Sequence, residues 1–173
     1  MKYSDASTSA TNTSQRTVGI GDYDVTDSGA HLKTFGLGSC LGVALFDERV
    51  GVAGLIHIKR PVMSDQDSTE RATFADSGIR LLCSKMEERG TSRRNITAKL
   101  AGGADICGFT YTKSDDSGGI GTQNIEAAVD TLSELNISIV GKDVGGEEHR
   151  TVCLIGSTGE LIVETGSDSR YSI

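Results

Sequence analysis

The segment at residues 40–58, CLGVALFDERVGVAGLIHI, decides the fold, since it places two apolar runs on either side of a charged turn. Residues 41–46 and 50–58 are each about as long as a strand, and the residues DER lie between them. Two such runs separated by a few polar residues predict an antiparallel β-hairpin. We therefore interpret residues 41–58 as a hairpin.

The register of this hairpin depends on its turn. A two-residue turn at Glu48 and Arg49 places Cys40 directly opposite His57. Directly opposed residues share one face of the sheet, so we predict that the sulfur and a ring nitrogen lie within about 4 Å of each other. A longer loop with a bulge at Gly51 is the alternative. Without the pairing, a structural role is the better interpretation of either the cysteine or the histidine alone.

The rest of the sequence predicts the α+β class. Apolar residues at a spacing of three and four predict helices at 70–89 and 123–135. Strands are predicted at 17–25, 95–103 and 137–144, and in a closing hairpin at 150–165 that turns at STG. Because strands outnumber helices and the helices lie between groups of strands, we assign the fold to the α+β class. Residues 1–16 are rich in Ser and Thr, so we expect a disordered tail followed by a single domain at 17–173.

Composition and charge restrict the classes of partner. The chain of 173 residues has a formal net charge of −7, which does not favour binding to nucleic acids or anionic membranes. The N-terminal residues contain no apolar core of a signal peptide, and no run approaches the roughly 18 apolar residues of a membrane helix. We therefore expect a cytoplasmic protein that binds no nucleic acid and does not insert into a membrane.

The cysteines are spaced as free thiols. They form no C-x-x-C motif and no Cys/His cluster, and they lie far apart, at Cys40, Cys83, Cys107 and Cys153. This spacing argues against a structural zinc site, and a chain of this size without an export signal is an unusual place for a disulfide framework. We expect no metal and no other cofactor.

Cys40 is the candidate nucleophile because the glycine-rich segment GLGS precedes it. Glycine lets backbone N–H groups approach a ligand closely, so the amides of Gly38 and Ser39 are candidates for holding an oxyanion. An imidazole beside a thiol can activate the thiol and later protonate a leaving amine, which makes His57 the candidate base. Thr34 is the candidate for orienting the imidazole, through its hydroxyl or its carbonyl.

These residues also carry a family resemblance. The motifs TFGLGSCLGV at 34–43 and GLIHI-x-x-P at 54–61 resemble the signature of the CheD family of chemoreceptor glutamine deamidases. Further segments are similar to blocks of that family in the same order and at similar spacing, namely VGIGDYDV, RATFADSGIRLLCSKM, KLAGGADI, IGTQN and KDVGGEEHR. The resemblance covers residues 17–164, which is nearly the whole predicted domain.

The resemblance implies an activity, a site, partners and a fold. CheD proteins hydrolyse the side-chain amide of selected glutamines on methyl-accepting chemotaxis receptors, and some have methylesterase activity toward receptor glutamyl esters. The catalytic Cys, His and Thr of the family fall on Cys40, His57 and Thr34. The family also binds CheC, a phosphatase of the response regulator CheY. Its fold is similar to that of cytotoxic necrotizing factor, with packed β-sheets and helices on the outside.

The sequence departs from the family pattern outside the three catalytic positions. Lys59 and Arg60 replace an apolar pair that is usual before Pro61, and Gln123 and His149 are further departures. We interpret the chain as a metal-free cysteine amidohydrolase that acts on receptor glutamines through a thioester. The alternative is a non-catalytic adaptor that binds and regulates a CheC-like phosphatase.

Overall fold

The computed structural model describes residues 13–64, 69–105 and 118–173, which form two five-stranded β-sheets and two α-helices. This arrangement confirms the α+β class. In chain order the elements are β1 (Gln15–Thr17), β2 (Tyr23–Thr26), β3 (His31–Leu37), β4 (Leu41–Asp47), β5 (Val52–Ile58), α1 (Ala75–Glu87), β6 (Thr97–Gly102), α2 (Ile120–Glu134), β7 (Ser138–Val144), β8 (Arg150–Leu154), β9 (Leu161–Thr165) and β10 (Arg170–Ser172).

The two sheets pack face to face, and both helices cover the outer face of one of them. The first sheet has the order β1-β3-β8-β9-β10, and the second has the order β2-β5-β4-β6-β7. α1 packs on β2 and β5, and α2 packs on β4 and β7. Neither helix is long and apolar enough to cross a membrane, within the part of the chain that is described.

The β4–β5 hairpin contributes to two hydrophobic cores. Its face toward the first sheet packs in a core that includes Leu32, Ala44, Ala53, Leu55, Val152, Leu154 and Leu161. Its opposite face packs against the helices in a core that includes Val43, Leu45, Ile56, Ile79, Leu82, Met86 and Leu132. Because both faces are covered, the two strands have nearly continuous apolar sequences instead of alternating ones.

The hairpin is confirmed, but its predicted register is wrong. His57 lies opposite Gly42, whereas we predicted that it lies opposite Cys40. The ladder is therefore shifted by two residues. Side chains alternate between the two faces of a strand, so an even shift leaves every side chain on its predicted face. Cys40 lies just outside the ladder, and its side chain packs against the core between the sheets, so it is not directly opposed to His57.

The register differs because the turn spans residues 48–51 instead of Glu48 and Arg49 alone. The favoured two-residue turns need a positive φ at one or both central residues, which Glu and Arg adopt at an energetic cost. The chain places its positive φ of 68° at Gly51, whose N–H donates to the carbonyl of Asp47 at 2.9 Å. A glycine therefore closes a longer turn.

The helices form from the predicted apolar stripes. The side chains that are fully buried include Ile79, Leu82, Cys83, Met86, Ala128 and Leu132. α1 is shorter than the predicted range of 70–89, because the extended backbone of Phe74 (φ −107°, ψ 145°) separates it from a 3-10 turn at Arg71–Thr73. α2 begins at Ile120, three residues before the predicted start at 123.

The N-terminal part differs more from the prediction. The predicted tail reached residue 16, but Gln15–Thr17 forms β1, which pairs in parallel with β3. Residues 1–12 of that tail lie outside the described residues. The single strand predicted at 17–25 corresponds to β1 and β2, which belong to different sheets. The first two residues of the glycine-rich segment before Cys40, Gly36 and Leu37, belong to strand β3.

The C-terminal part follows the prediction. The strands expected at 95–103 and 137–144 are β6 and β7, which pair in parallel. The predicted closing hairpin is formed by β8 and β9, which pair so that Cys153 faces Ile162. β10 was not predicted and pairs antiparallel with β9.

Candidate active site

The candidate site lies at one end of the interface between the two sheets. Thr34 stands in β3 of the first sheet and His57 in β5 of the second, and both side chains are fully buried. Cys40 is half-buried and directly precedes β4. The packing of one sheet on the other therefore brings Thr34 to His57, while Cys40 directly precedes the strand that pairs with β5.

A chain of two hydrogen bonds fixes the imidazole of His57. Its Nδ1 lies 2.7 Å from Oγ1 of Thr34, and the same hydroxyl donates to the carbonyl of Val18 at 2.8 Å. A carbonyl can only accept, so the single proton of the hydroxyl is used on Val18. Thr34 must then accept the N–H of Nδ1, which leaves the lone pair on Nε2.

The other ring nitrogen of His57 is buried without a partner. Within the described part of the chain, Nε2 makes no hydrogen bond. Burial lowers the pKa of His57 from 6.5 to about 4, since removal from water disfavours the charged ring. At neutral pH the imidazole is therefore uncharged, and its free lone pair can accept a proton.

The thiol of Cys40 is also uncharged in the resting site. Burial raises its pKa above the ordinary value of a thiol, and the positive charge of Lys59 offsets part of that increase. A neutral thiol beside a neutral imidazole differs from a preformed thiolate–imidazolium pair. In this arrangement the proton leaves the sulfur as the sulfur attacks, instead of beforehand.

The predicted distance of about 4 Å between Sγ of Cys40 and a ring nitrogen of His57 stays a prediction. No hydrogen bond joins Sγ to Nε2, which has no partner among the described residues. Cys40 lies beyond the last paired residues of the hairpin, and its side chain packs against the core between the two sheets. Catalytic hydrogen bonds are often long before a substrate is bound. A free acceptor on His57 and a half-buried thiol on the same inter-sheet core are compatible with proton transfer once a substrate is bound.

The backbone before the cysteine offers two amides for an oxyanion. The N–H of Gly38 donates to the carbonyl of Gly36 at 3.0 Å, so it is already used in a turn. No hydrogen bond from the amides of Ser39 or Cys40 is found within the described ranges. Of the predicted donors, Ser39 is therefore placed better than Gly38, and the amide of Cys40 joins it.

The Cys40 loop, residues 38–40, is held by Gly102 at the end of β6 and by Gly103 directly after it. The sequence analysis assigned neither glycine a role. The N–H of Gly103 donates to the carbonyl of Cys40 at 2.8 Å, and the N–H of Ala104 donates to that of Gly38 at 2.8 Å. Gly102 passes so close that a Cβ there would lie 2.5 Å from the carbonyl oxygen of Cys40. The GG pair in KLAGGADI is the signal in the sequence that points to this close approach.

Asn124 is a second residue that the sequence did not mark as functional. It lies in α2 with a fully buried side chain. Its Nδ2 donates to the carbonyl of Ser39 at 2.8 Å and to that of Lys59 at 3.3 Å. The segment IGTQN was quoted as part of the family resemblance, but nothing local in it reveals that the amide reaches residues 39 and 59.

Comparisons with known proteins identify the relatives of the chain. The profile of the CheD family, described as "CheD chemotactic sensory transduction", matches residues 60–165. A Haloarcula marismortui protein named "Probable chemoreceptor glutamine deamidase CheD" is 40% identical over 156 residues, which cover 90% of this chain and 88% of the relative. The "Chemoreceptor glutamine deamidase CheD" of Halalkalibacterium halodurans is 39% identical over 150 residues, which cover 86% of this chain and 91% of the relative.

Proposed function

The chain belongs to the CheD family, and from this premise we propose that it hydrolyses the side-chain amide of glutamines on methyl-accepting chemotaxis receptors. The products are glutamate and ammonia. The observation that carries the proposal is the fixed imidazole of His57, with its lone pair on Nε2, in the strand that pairs with the one that Cys40 directly precedes. This arrangement supplies a nucleophile and a proton acceptor without a metal.

The proposed reaction has two halves. Sγ of Cys40 attacks the amide carbon while Nε2 of His57 takes the thiol proton, and the amides of Ser39 and Cys40 bind the developing oxyanion. The carbon–nitrogen bond then breaks, and His57 returns the proton to the leaving nitrogen, which departs as ammonia. The remaining thioester is hydrolysed by water that His57 deprotonates. The carboxylic acid leaves, His57 returns the proton of the water to the thiolate, and the acid ionises to glutamate in solution.

Thr34 acts in this mechanism by holding the ring of His57. Replacing Thr34 by valine keeps the shape but removes the hydroxyl, so the Nδ1–H group loses its acceptor and the ring can rotate. We expect kcat for receptor deamidation to fall about 10- to 100-fold in Thr34→Val, which corresponds to the loss of one buried hydrogen bond. Thr34→Ser retains the hydroxyl and should keep most of the activity. Equal rates for the serine and valine variants would contradict this role.

The pKa of His57 predicts an unusual pH dependence. Because the folded protein holds this pKa at about 4, the acid limb of kcat/KM should lie near pH 4 instead of near 6.5. The unfolded chain takes up this proton below pH 6.5 and the folded protein does not, so folding stability falls as the pH decreases toward 4. The decrease attributable to this group is at most about 3 kcal/mol.

Urea unfolding at several pH values measures this effect separately from catalysis. As the pH decreases, the free energy of unfolding should fall less in His57→Gln than in the wild type. The imidazole contribution is absent in the variant, while the carboxylates contribute equally in both proteins. An acid limb near pH 6.5, or identical pH dependence of unfolding in the two proteins, would show that the imidazole is not held in its neutral form by burial.

The resemblance implies three further properties, a methylesterase activity, a CheC partner and a fold relationship, which we state as predictions. Methyl esters of receptor glutamates would form the same thioester with methanol as the leaving group, so the site has the chemistry for a methylesterase. CheC is the expected regulatory partner. We also expect the fold to be similar to that of cytotoxic necrotizing factor. Incubation of a receptor cytoplasmic fragment with the protein, followed by measurement of released ammonia and methanol, tests the two activities together.

A further inference from the structure

Asn124 joins the two chain segments that carry the reacting groups. Its Nδ2 donates to the carbonyl of Ser39, the residue before Cys40, and to the carbonyl of Lys59, two residues after His57. One amide group therefore contacts both the Cys40 loop and the end of β5, the strand that carries His57. No other described side chain donates hydrogen bonds to both segments.

These hydrogen bonds occur where the strand ladder stops. The last paired residues of β4 and β5 at this end are Leu41 and Ile58. Ser39, Cys40 and Lys59 lie beyond the last pair, so the ladder between these strands no longer sets their separation. Asn124, held in α2, replaces the missing ladder bonds and fixes the distance between the loop and the strand end.

The carboxamide is not the side chain that stability alone would favour. Oδ1 of Asn124 is buried and has no hydrogen-bond partner among the described residues. A buried acceptor without a partner is destabilising, and an apolar side chain of similar size avoids that cost. Ser39 and Lys59, whose backbone carbonyls accept from Nδ2, are exposed residues, whereas Asn124 itself is fully buried.

We propose that Asn124 is a positioning residue, which holds the Cys40 loop at the separation from His57 that proton transfer requires. The expected effect on kcat rests on the proposed function, whereas the expected effect on the chemical reactivity of Cys40 does not. Asn124 does not bind the substrate in this role. Its effect reaches the reaction through the placement of the sulfur relative to Nε2.

Two replacements of similar size separate positioning from stability. Asn124→Leu removes both the donor and the unpartnered acceptor, so its thermal midpoint should remain within about 4 °C of the wild type. Its kcat should nevertheless fall about 10- to 100-fold while KM changes less than about threefold. Asn124→Asp places a carboxylate against two carbonyl oxygens and should impair kcat at least as strongly. Thr131→Val is the control, since Thr131 is also buried in α2 and its hydroxyl donates only to Ala127.

Alkylation of Cys40 by iodoacetamide gives a readout that needs no receptor. We expect the rate at pH 7 to fall in Asn124→Leu in parallel with kcat, and to be unchanged in Thr131→Val. An unchanged kcat, or a fall in kcat with unchanged or faster alkylation, would overturn the proposal. If the wild type does not deamidate receptors, the proposed function fails, while slower alkylation in Asn124→Leu would still support the positioning role.

Discussion

Replacing Cys40 by alanine is expected to reduce receptor deamidation by at least about 10³-fold, because no other group in the site can form the thioester. The fold should tolerate the change, since Cys40 is only half-buried. Ammonia release from a receptor cytoplasmic fragment measures the rate. Cys153→Ala is the matched control, because it removes another half-buried thiol that lies in β8.

The same variant separates the enzyme from the adaptor. A catalytic protein loses its activity in Cys40→Ala but keeps its affinity for the receptor and for a CheC-like phosphatase. If the protein is an adaptor, neither the wild type nor Cys40→Ala deamidates the receptor. Both proteins still change the phosphatase activity of the partner. Full deamidation by Cys40→Ala would contradict the proposed nucleophile.

Replacing Gly102 by alanine should produce a large loss of stability. Gly102 has a φ of 112°, which residues with a side chain rarely adopt. The added Cβ would lie 2.5 Å from the carbonyl oxygen of Cys40 and 3.2 Å from Cβ of Leu37. The cysteine loop must move to relieve the contact, which weakens its hydrogen bond from Gly103. We expect the free energy of unfolding to decrease by about 3 kcal/mol and the activity of the remaining folded protein to fall.

Gly51→Ala separates backbone strain from the steric contact. Gly51 also has a positive φ, of 68°, but an added Cβ would meet no atom within 4 Å. This variant should lose about 1 kcal/mol and keep its activity, because only the backbone penalty applies. Urea unfolding and deamidation assays compare the two proteins. Equal losses in both variants would show that the contact with the Cys40 loop is unimportant.

The sequence predicted those features that depend on local pattern. Continuous apolar runs predicted the hairpin, and the three-and-four spacing predicted the buried stripes of both helices. The turn was misjudged because Gly51, not the central pair Glu48 and Arg49, has the positive φ that closes the turn. The predicted face of each paired residue is unchanged by this error, since a shift of two residues preserves side-chain alternation.

The features that the sequence did not predict depend on contacts between distant segments. β3 lies in the other sheet from β5, and only the packing of the sheets brings Thr34 within 2.7 Å of His57. The sequence made Thr34 a candidate for orienting the ring without establishing that contact. Asn124 is 85 positions from Ser39, and its donor role depends on how α2 packs on the second sheet. Neither relation has a local spacing that a sequence pattern could reveal.

Site-resolved mass spectrometry of a receptor cytoplasmic fragment tests the proposed chemistry most directly. The fragment is incubated with wild-type protein, Cys40→Ala or Cys153→Ala, and each glutamine is examined for conversion to glutamate. We predict that wild type and Cys153→Ala convert the same few glutamines, and that Cys40→Ala converts none beyond the background without protein. Conversion by Cys40→Ala at the wild-type rate, or no conversion by the wild type, would contradict the assignment of this chain as a cysteine-dependent glutamine deamidase.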